Sequence, residues 1–307
     1  MADTSTTGRR LSRPAFRRAA DRVVTQLIGL SGIAAIVILA AITVFLVINS
    51  SRALREVGLW NMVSGTDWFP TSEHAKFGFL PAEVGSLWVT AVAMVLCIPV
   101  GVAAAIYISE FAGRRTKEVT KSIIEFMAAV PSVVLALLGI ALLAPHVREW
   151  FNLDTGLTAF TAGIVVGAMA LPTIITISED ALHAVPKDLR TGSLALGNTQ
   201  WQTVYKVVLP SASSGIFAAV MLGLGRAIGE TMVVLILAGN SGIIPDTALV
   251  SARTMPGTIA GEMAEVVQGG LHYSVLFAMG LVLFTVTFAI NLAADIVLER
   301  QRKKWRR

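Results

Sequence analysis

Six apolar runs, each long enough to cross a lipid bilayer, constrain this 307-residue chain more than any other feature. They cover residues 27–48, 82–108, 123–144, 157–177, 213–238 and 273–297. A helix needs about 20 mostly apolar residues to span the hydrocarbon core of a bilayer. Hydrophobic residues make up 54% of the chain and charged residues only 15%, which excludes an ordinary soluble domain. The sequence therefore predicts an all-α membrane protein with six transmembrane helices.

Basic side chains are divided unequally between the segments that connect these runs. Nineteen of the 25 Lys and Arg residues share the side of a cytoplasmic amino terminus, in segments 1–26, 109–122, 178–212 and 298–307. Such residues concentrate on the cytoplasmic side of membrane proteins, where they also attract anionic headgroups. The pattern predicts that both termini are cytoplasmic basic tails. The outer loops are then 49–81 and 239–272, and the second of them is predicted to contain a short helix.

The cytoplasmic loop 178–212 is polar, yet it is patterned as two short helices around a corner. Pro186 suits the first turn of the first helix, and Gly197 suits its end. Thr199 and Gln202 can form a capping box for the second helix. That helix has an apolar stripe made by Trp201, Val204, Tyr205 and Val208. Such a pair is typical of an element that docks another protein, and a helix pair lying on lipid is the alternative.

The spacing within this loop resembles a known motif. Gly197 is followed by nine residues, Val207, one residue and Leu209-Pro210. This is similar to the coupling loop, or EAA loop, of binding-protein-dependent ABC importer permeases, with Thr191-Gly192-Ser193 in place of Glu-Ala-Ala. The resemblance implies that the loop docks a cytoplasmic ATPase. The implied coupling residues are Leu189, Gly192, Leu194, Gly197, Trp201, Leu209 and Pro210.

The fifth apolar run contains the sequence GLGRAIGETM, which places Arg226 near the bilayer midplane. An Arg at that depth costs about 2.5–3.5 kcal/mol on insertion scales, so it needs a partner or an aqueous path. Glu230 follows at i+4, on the same helical face, while Gly225 and Gly229 suit close packing on an adjoining face. Two interpretations stay open. The pair either fixes helix register, or Arg226 offers its guanidinium fork to a passing oxyanion.

Several segments, in order, are similar to the PstC family of permeases from phosphate-specific ABC importers. They are GFLPAEVGSLWVTAVA at 78–93, IYISEFA at 106–112, AAVPSVV at 128–134, GLGRAIGETM at 223–232 and NLAADIVLER at 291–300. The resemblance runs from about residue 60 to residue 300. It implies the type I ABC importer permease fold, with a single type-1 transmembrane domain at roughly 82–297. It also implies a multi-pass protein of the bacterial plasma (inner) membrane.

What the resemblance implies about function is one permease of an ATP-driven phosphate importer. Its partners would be a PstA-like sister permease, a PstB-like ATPase dimer and a PstS-like phosphate-binding protein. In the family, the residues that match Arg226 and Glu230 are linked to phosphate passage. The chain contains no Gly-Lys dipeptide and therefore no Gly-x4-Gly-Lys-Ser/Thr phosphate loop. We expect no enzyme activity and no cofactor in this chain, because ATP-Mg would be bound by the partner ATPase.

Several acidic residues are weaker functional candidates, and alternative functions stay open. Glu125, four residues after Lys121, is a candidate gate residue, and Glu262 with Glu265 is a candidate face for the binding protein. Glu179, Asp180 and His183, at the inner end of the fourth run, suit a solvated surface better than a metal site. The alternatives are a PstA-like permease, a permease for another oxyanion such as sulfate or tungstate, and an ATP-independent anion transporter. The last would typically have broken helices, and none is predicted. A membrane-embedded hydrolase would need a nucleophile–base pair that the sequence does not show.

Overall fold

The computed structural model describes the backbone of residues 15–305 and the side-chain environments of residues 24–299. Parts of the predicted tails 1–26 and 298–307 therefore lie outside the described residues. The helices and strands are α1 (Ala15–Glu56), α2 (Leu59–Ser64), β1 (Trp68–Phe69), β2 (Lys76–Phe77), α3 (Leu80–Ile106), α4 (Arg114–Ala129), α5 (Ser132–Leu138), α6 (Ala144–Trp150), α7 (Ala159–His183), α8 (Lys187–Ala195), α9 (Gln200–Thr203), α10 (Leu209–Ile228), α11 (Met232–Leu237), α12 (Met255–Glu262) and α13 (Leu271–Trp305).

Three five-residue π-helical segments extend or join these helices. They are Tyr107–Phe111 after α3, Gly139–Leu143 between α5 and α6, and Val204–Val208 between α9 and α10. A π turn closes its hydrogen bonds between residues i and i+5, so it shifts the helical face by a fraction of a turn without ending the helix. Such turns are frequent at functional sites.

Six helical stretches are long and apolar enough to cross a membrane, which confirms the predicted number. Their bounds are Val24–Glu56, Leu80–Phe111, Ser132–Trp150, Ala159–His183, Gln200–Ile228 and Leu271–Glu299. Residues up to Ile48 form a unit of their own, in which most large apolar side chains of the described residues are exposed. A helix that is apolar on all sides and exposed suits a lipid environment.

The third predicted span, 123–144, is not one continuous helix. α4 ends at Ala129, Val130 has an extended backbone, and α5 begins after Pro131. The residue before a proline is disfavoured in the α conformation, which explains the break at this position. The apolar span therefore starts at Ser132, and α4 becomes a separate amphipathic helix before it.

The fifth predicted span, 213–238, is also broken, contrary to the expectation of unbroken helices. α10 ends at Ile228, and the backbone of residues 229–231 is not helical before α11 begins at Met232. A carboxylate oxygen of Glu230 accepts a hydrogen bond of 3.4 Å from the backbone N–H of Val233. Because the first N–H groups of a helix have no partner within it, this bond helps to start α11.

The core of the larger unit forms where α3, α7, α10 and α11 meet. Small residues allow α3 and α7 to approach closely, as is common between membrane helices. A Cβ added at Gly163 of α7 would lie 2.7 Å from the side chain of Val92 on α3, and one at Gly167 would lie 3.0 Å from the carbonyl oxygen of Ala93. Larger residues at either position would force these two helices apart.

Candidate functional site

The segment between α7 and α10, residues 184–208, is named here the two-helix loop. α8 begins after Pro186, and Gly197 turns the chain with a φ of +85°. The Thr199 hydroxyl accepts from the N–H of Gln202 at 3.2 Å, and the Gln202 side chain accepts from the N–H of Thr199 at 2.9 Å. The predicted helix, glycine corner and capping box are therefore confirmed.

The second half of the two-helix loop differs from a plain amphipathic helix. α9 has only four residues, and the π-helical segment Val204–Val208 then leads directly into α10. The predicted apolar stripe is divided between two faces. Val204 and Val208 are buried, whereas Trp201 and Tyr205 are exposed. Half of the stripe thus holds the loop to the membrane helices, and half faces away from the chain.

The two-helix loop exposes several large apolar side chains. Its exposed large side chains are Leu189, Leu194, Leu196, Trp201 and Tyr205, and Leu196 is 86% exposed. Large apolar side chains exposed together on one short loop indicate a protein or membrane contact. Sequence analysis did not select Leu196, although its place next to the Gly197 corner could have indicated it.

The other predicted coupling residues are spread along the same segment. Gly192 lies in α8 with open space around its Cα, whereas Leu209 and Pro210 form the half-buried first turn of α10. The loop surface and the start of α10 therefore belong to one continuous piece of chain. Leu209 and Pro210 contribute to where the helix starts and are not part of the exposed apolar surface.

The base of the two-helix loop is tied to the end of α3 by a charged pair that sequence analysis missed. Arg190 Nη2 lies 2.8 Å from Glu110 Oε1, and Arg190 Nε donates to Glu110 Oε2 at 3.2 Å. Arg190 also donates to the carbonyl oxygens of Leu182 and Val185 near the end of α7. The two residues are 80 positions apart in the sequence, so local spacing could not predict that they pair.

A second charged cluster joins α4 to α7. Glu179 is buried, and its carboxylate oxygens lie 2.6 Å from Lys117 Nζ and 2.6 Å from Lys121 Nζ. The expectation of a solvated Glu179 is therefore wrong, because the break at Val130 frees α4 to bring its lysines over the end of α7. Within the part of the chain that the structure describes, no group of three or more metal-binding side chains is found.

Glu125 does not pair with Lys121, which is engaged by Glu179. The Glu125 side chain is exposed, and it lines a cavity of about 80 Å³ together with Thr176 and Ile175. The geometry brings Glu125 close to the charged cluster but gives it no ion-pair partner among the described residues.

Arg226 and Glu230 are separated by the break in the fifth span. Arg226 is exposed in the last turn of α10, and Glu230 lies in the non-helical segment that follows. Across the described side chains, no ion pair joins the two. The predicted i, i+4 pair is therefore wrong, because the helix that would place both residues on one face ends at Ile228. Gly225 has open space around it rather than a closely packed helix.

The break and the exposed arginine point to the same environment. Non-helical backbone at membrane depth is tolerated only where it is buried in protein or lines a water-filled cavity. An Arg inside a span likewise avoids lipid and faces the interior of a bundle or an aqueous path. The face of α10 that carries Arg226 is therefore a candidate lining of a polar pathway.

In the loops that the sequence predicts to be outer, Glu262 joins three segments. It accepts a hydrogen bond of 3.0 Å from the indole N–H of Trp68, lies 2.8 Å from His272 Nε2, and pairs with Arg253. Trp68 belongs to a two-stranded antiparallel ladder in which it is opposite Phe77. The Glu262 carboxylate thus has three partners within the chain, so it is not a free acid that could dock a binding protein.

Comparison with known proteins gives consistent matches along most of the chain. Residues 97–307 match the family described as "Binding-protein-dependent transport system inner membrane component". The "Probable ABC transporter permease protein YqgH" of Bacillus subtilis is 34% identical, over 85% of each chain. The "Phosphate transport system permease protein PstC" of Pasteurella multocida is 31% identical, over 87% of this chain and 88% of the relative.

Solved structures with the same fold include two ABC transporters. A bacterial importer of the acidic polysaccharide alginate has a chain with a TM-score of 0.62 at 16% identity, covering 92% of this chain and 99% of that one. The inward-facing MetNI methionine ABC transporter matches with a TM-score of 0.57 at 20% identity, covering 71% of this chain and 93% of that one. At these identities the likeness shows a shared fold.

Proposed function

Because the chain belongs to the family of binding-protein-dependent transport system inner membrane components, we propose that it is a permease subunit of an ATP-driven phosphate importer. The fold is that of ABC importer permeases, and the chain is a multi-pass protein of the bacterial inner membrane. The observation that carries the substrate assignment is the match to phosphate transport permeases over almost nine-tenths of the chain.

Members of this family work with an ATPase, a second permease and a binding protein. We assign these partners here as a PstB-like ATPase dimer, a PstA-like sister permease and a PstS-like phosphate-binding protein. The exposed apolar surface of the two-helix loop supports the docking of the ATPase, since Leu196 and Trp201 would otherwise remain in water. ATP-Mg would be bound by that partner.

The proposed phosphate path passes Arg226 and Glu230. Arg226 supplies a permanent positive charge and several N–H donors, which match the oxygens of a phosphate group. Glu230 lies in the non-helical segment just after α10, where its negative charge would limit how long the anion stays beside Arg226. We assign Glu125 a secondary role as a gate residue, supported by its place at the small cavity beside Lys121 and Thr176.

The proposed orientation puts the two-helix loop in the cytoplasm and the β1–β2 hairpin outside. In intact cells, an impermeant maleimide should label a Lys76→Cys variant and leave a Trp201→Cys variant unlabelled. Both side chains are exposed, and the native Cys97 is buried, so background labelling should be low. Labelling of the Trp201→Cys variant from outside would contradict both the orientation and the docking role of the loop.

Purification of the tagged chain in mild detergent tests the function as a whole. We expect an ATPase and a second permease to co-purify, and the ATPase rate of that complex to rise when phosphate-loaded binding protein is added. Binding protein without phosphate, or sulfate in its place, serves as the control. An ATPase rate that responds to sulfate and not to phosphate would reassign the substrate, and transport without any ATPase partner would contradict the proposal.

A further inference from the structure

Glu110 occupies an unusual place at the end of α3. It lies in the π-helical segment Tyr107–Phe111, and its side chain is only 9% exposed although it ends an apolar span. A buried carboxylate needs a charged or hydrogen-bonding partner, because removing it from water is costly. Arg190, on α8, supplies that partner through two of its nitrogen atoms.

The same arginine reaches a third element. Besides the Glu110 carboxylate, its guanidinium donates to the carbonyl oxygens of Leu182, at 2.7 Å, and Val185. These carbonyls lie at the end of α7 and just beyond it, where the last C=O groups of a helix lack partners. One side chain of the two-helix loop therefore connects α8, the end of α7 and the end of α3.

The second helix of the loop contacts the same point. The side-chain amide of Gln200 donates to the backbone carbonyl of Glu110 at 2.7 Å, and the rings of Phe111 and Trp201 lie 6.1 Å apart. Both helices of the two-helix loop therefore contact the short π-helical segment. The loop is held in position and orientation, not at one flexible point.

A buried ion pair of this kind contributes more to the relative orientation of the two helices than to the stability of the fold. Replacing a buried ion pair by well-packed apolar residues is often neutral or stabilising, so attachment alone does not require one. A two-point guanidinium–carboxylate contact fixes the relative orientation of its two helices. Orientation is what a loop needs if its movement is to rotate or shift the helix to which it is attached.

The other end of this connection leads towards the proposed phosphate path. Val89, Ala93 and Cys97 of α3 share one buried core with Ala227 of α10 and Val233 of α11. These last two residues flank the break that carries Glu230. A shift of α3 would therefore act directly on the helices on both sides of the break, because close-packed cores transmit displacement.

We propose that Glu110 is a positioning residue through which a displacement of the two-helix loop moves α3 and, with it, the break at residues 229–231. The inference rests on the proposed docking of an ATPase to the loop. Glu110 does not contact phosphate or ATP. Its role is to couple the movement of the two-helix loop to the movement of α3.

Hydrogen exchange on the assembled complex, with and without a non-hydrolysable ATP analogue, tests the coupling through Glu110. In the wild-type complex, nucleotide should change protection both in residues 187–203 and in residues 107–112. In a Glu110→Gln variant we expect the loop response to persist and the response of 107–112 to be lost. ATP consumed per phosphate imported should rise about 10-fold, within the usual range of coupling between sites.

Glu118→Gln is the matched control, because Glu118 forms an exposed i, i+4 pair with Arg114 at 3.1 Å and makes the same chemical change. It should behave as wild type. Should Glu110→Gln fail to assemble, Gln200→Ala removes only the hydrogen bond to the Glu110 carbonyl and should shift both readouts in the same direction.

Two failures can be told apart. An unchanged response of 107–112 in the variant, with normal ATP consumption per phosphate, would overturn the role of Glu110 and leave the proposed function intact. A wild-type loop that does not respond to nucleotide would contradict the docking of the ATPase, and this inference would fall with it.

Discussion

Replacing Arg226 by Gln should reduce ATP-driven phosphate uptake about 100-fold, because hydrogen bonds to charged groups contribute about 1.5–3 kcal/mol each and tenfold corresponds to about 1.4 kcal/mol. Assembly should be unaffected. Arg226 is exposed and forms no ion pair with Glu230 in the described chain, so the change leaves no buried charge without its partner. Gln is also less costly than Arg within a span. Uptake of radiolabelled phosphate into cells that express equal amounts of complex measures the effect.

The controls separate transport from structure. Arg148→Gln removes an exposed arginine from the last turn of α6 and should leave uptake unchanged. Arg226→Lys keeps the charge but loses the planar fork, so we expect an intermediate loss. The double variant Arg226→Gln with Glu230→Gln should assemble and transport nothing. Near wild-type uptake by the double variant would show that neither residue serves the anion and that the path lies elsewhere.

Replacing Gly197 by Val should uncouple the loop and reduce uptake about tenfold, since the left-handed backbone costs a residue with a Cβ about 1–2 kcal/mol. Gly197 has a φ of +85°, and a Cβ there would meet no neighbouring atom within 4 Å. The strain is therefore in the backbone alone, and it should displace the capping box and Trp201. Insertion into the membrane should be normal, and phosphate-stimulated ATPase activity should fall in parallel with uptake.

Two substitutions control for this change. Gly113→Val places the same side chain at a glycine with an extended backbone and equally open surroundings, and it should transport normally. Gly197→Asn should keep most activity, because Asn tolerates the left-handed conformation. If Gly197→Val supports normal uptake at normal expression, the corner has no part in coupling.

Features with a local or periodic signal were predictable from the sequence. The six spans follow from hydropathy, and the corner at Gly197 with its Thr199–Gln202 box follows from residues within a few positions of each other. The two breaks were missed because the runs stay apolar across them. Pro131 carried a local signal that went unused, and so did Gly229 and Thr231 after Ile228, which are weak helix formers.

The charged contacts were also missed, because their partners are brought together only by tertiary packing. Glu110 meets Arg190, and Glu179 meets Lys117 and Lys121, only after α3, α4 and α7 have packed. Helical spacing pairs residues three or four apart, so it favoured Arg226 with Glu230 and Lys121 with Glu125. Neither pair forms in the folded chain. Lys121 lies against Glu179, which is distant in the sequence, and no ion pair joins Arg226 to Glu230 among the described side chains. The span limits, the coupling residues and the path residues as a set stay predictions.

The central claim is that this chain forms part of an ATP-driven phosphate path. Its most direct test is uptake of radiolabelled phosphate by the complete complex in proteoliposomes, with binding protein on one side and ATP on the other. We predict uptake that requires both and that is competed by unlabelled phosphate but not by sulfate or tungstate. Uptake that proceeds without ATP, or that sulfate competes as well as phosphate does, would contradict the account.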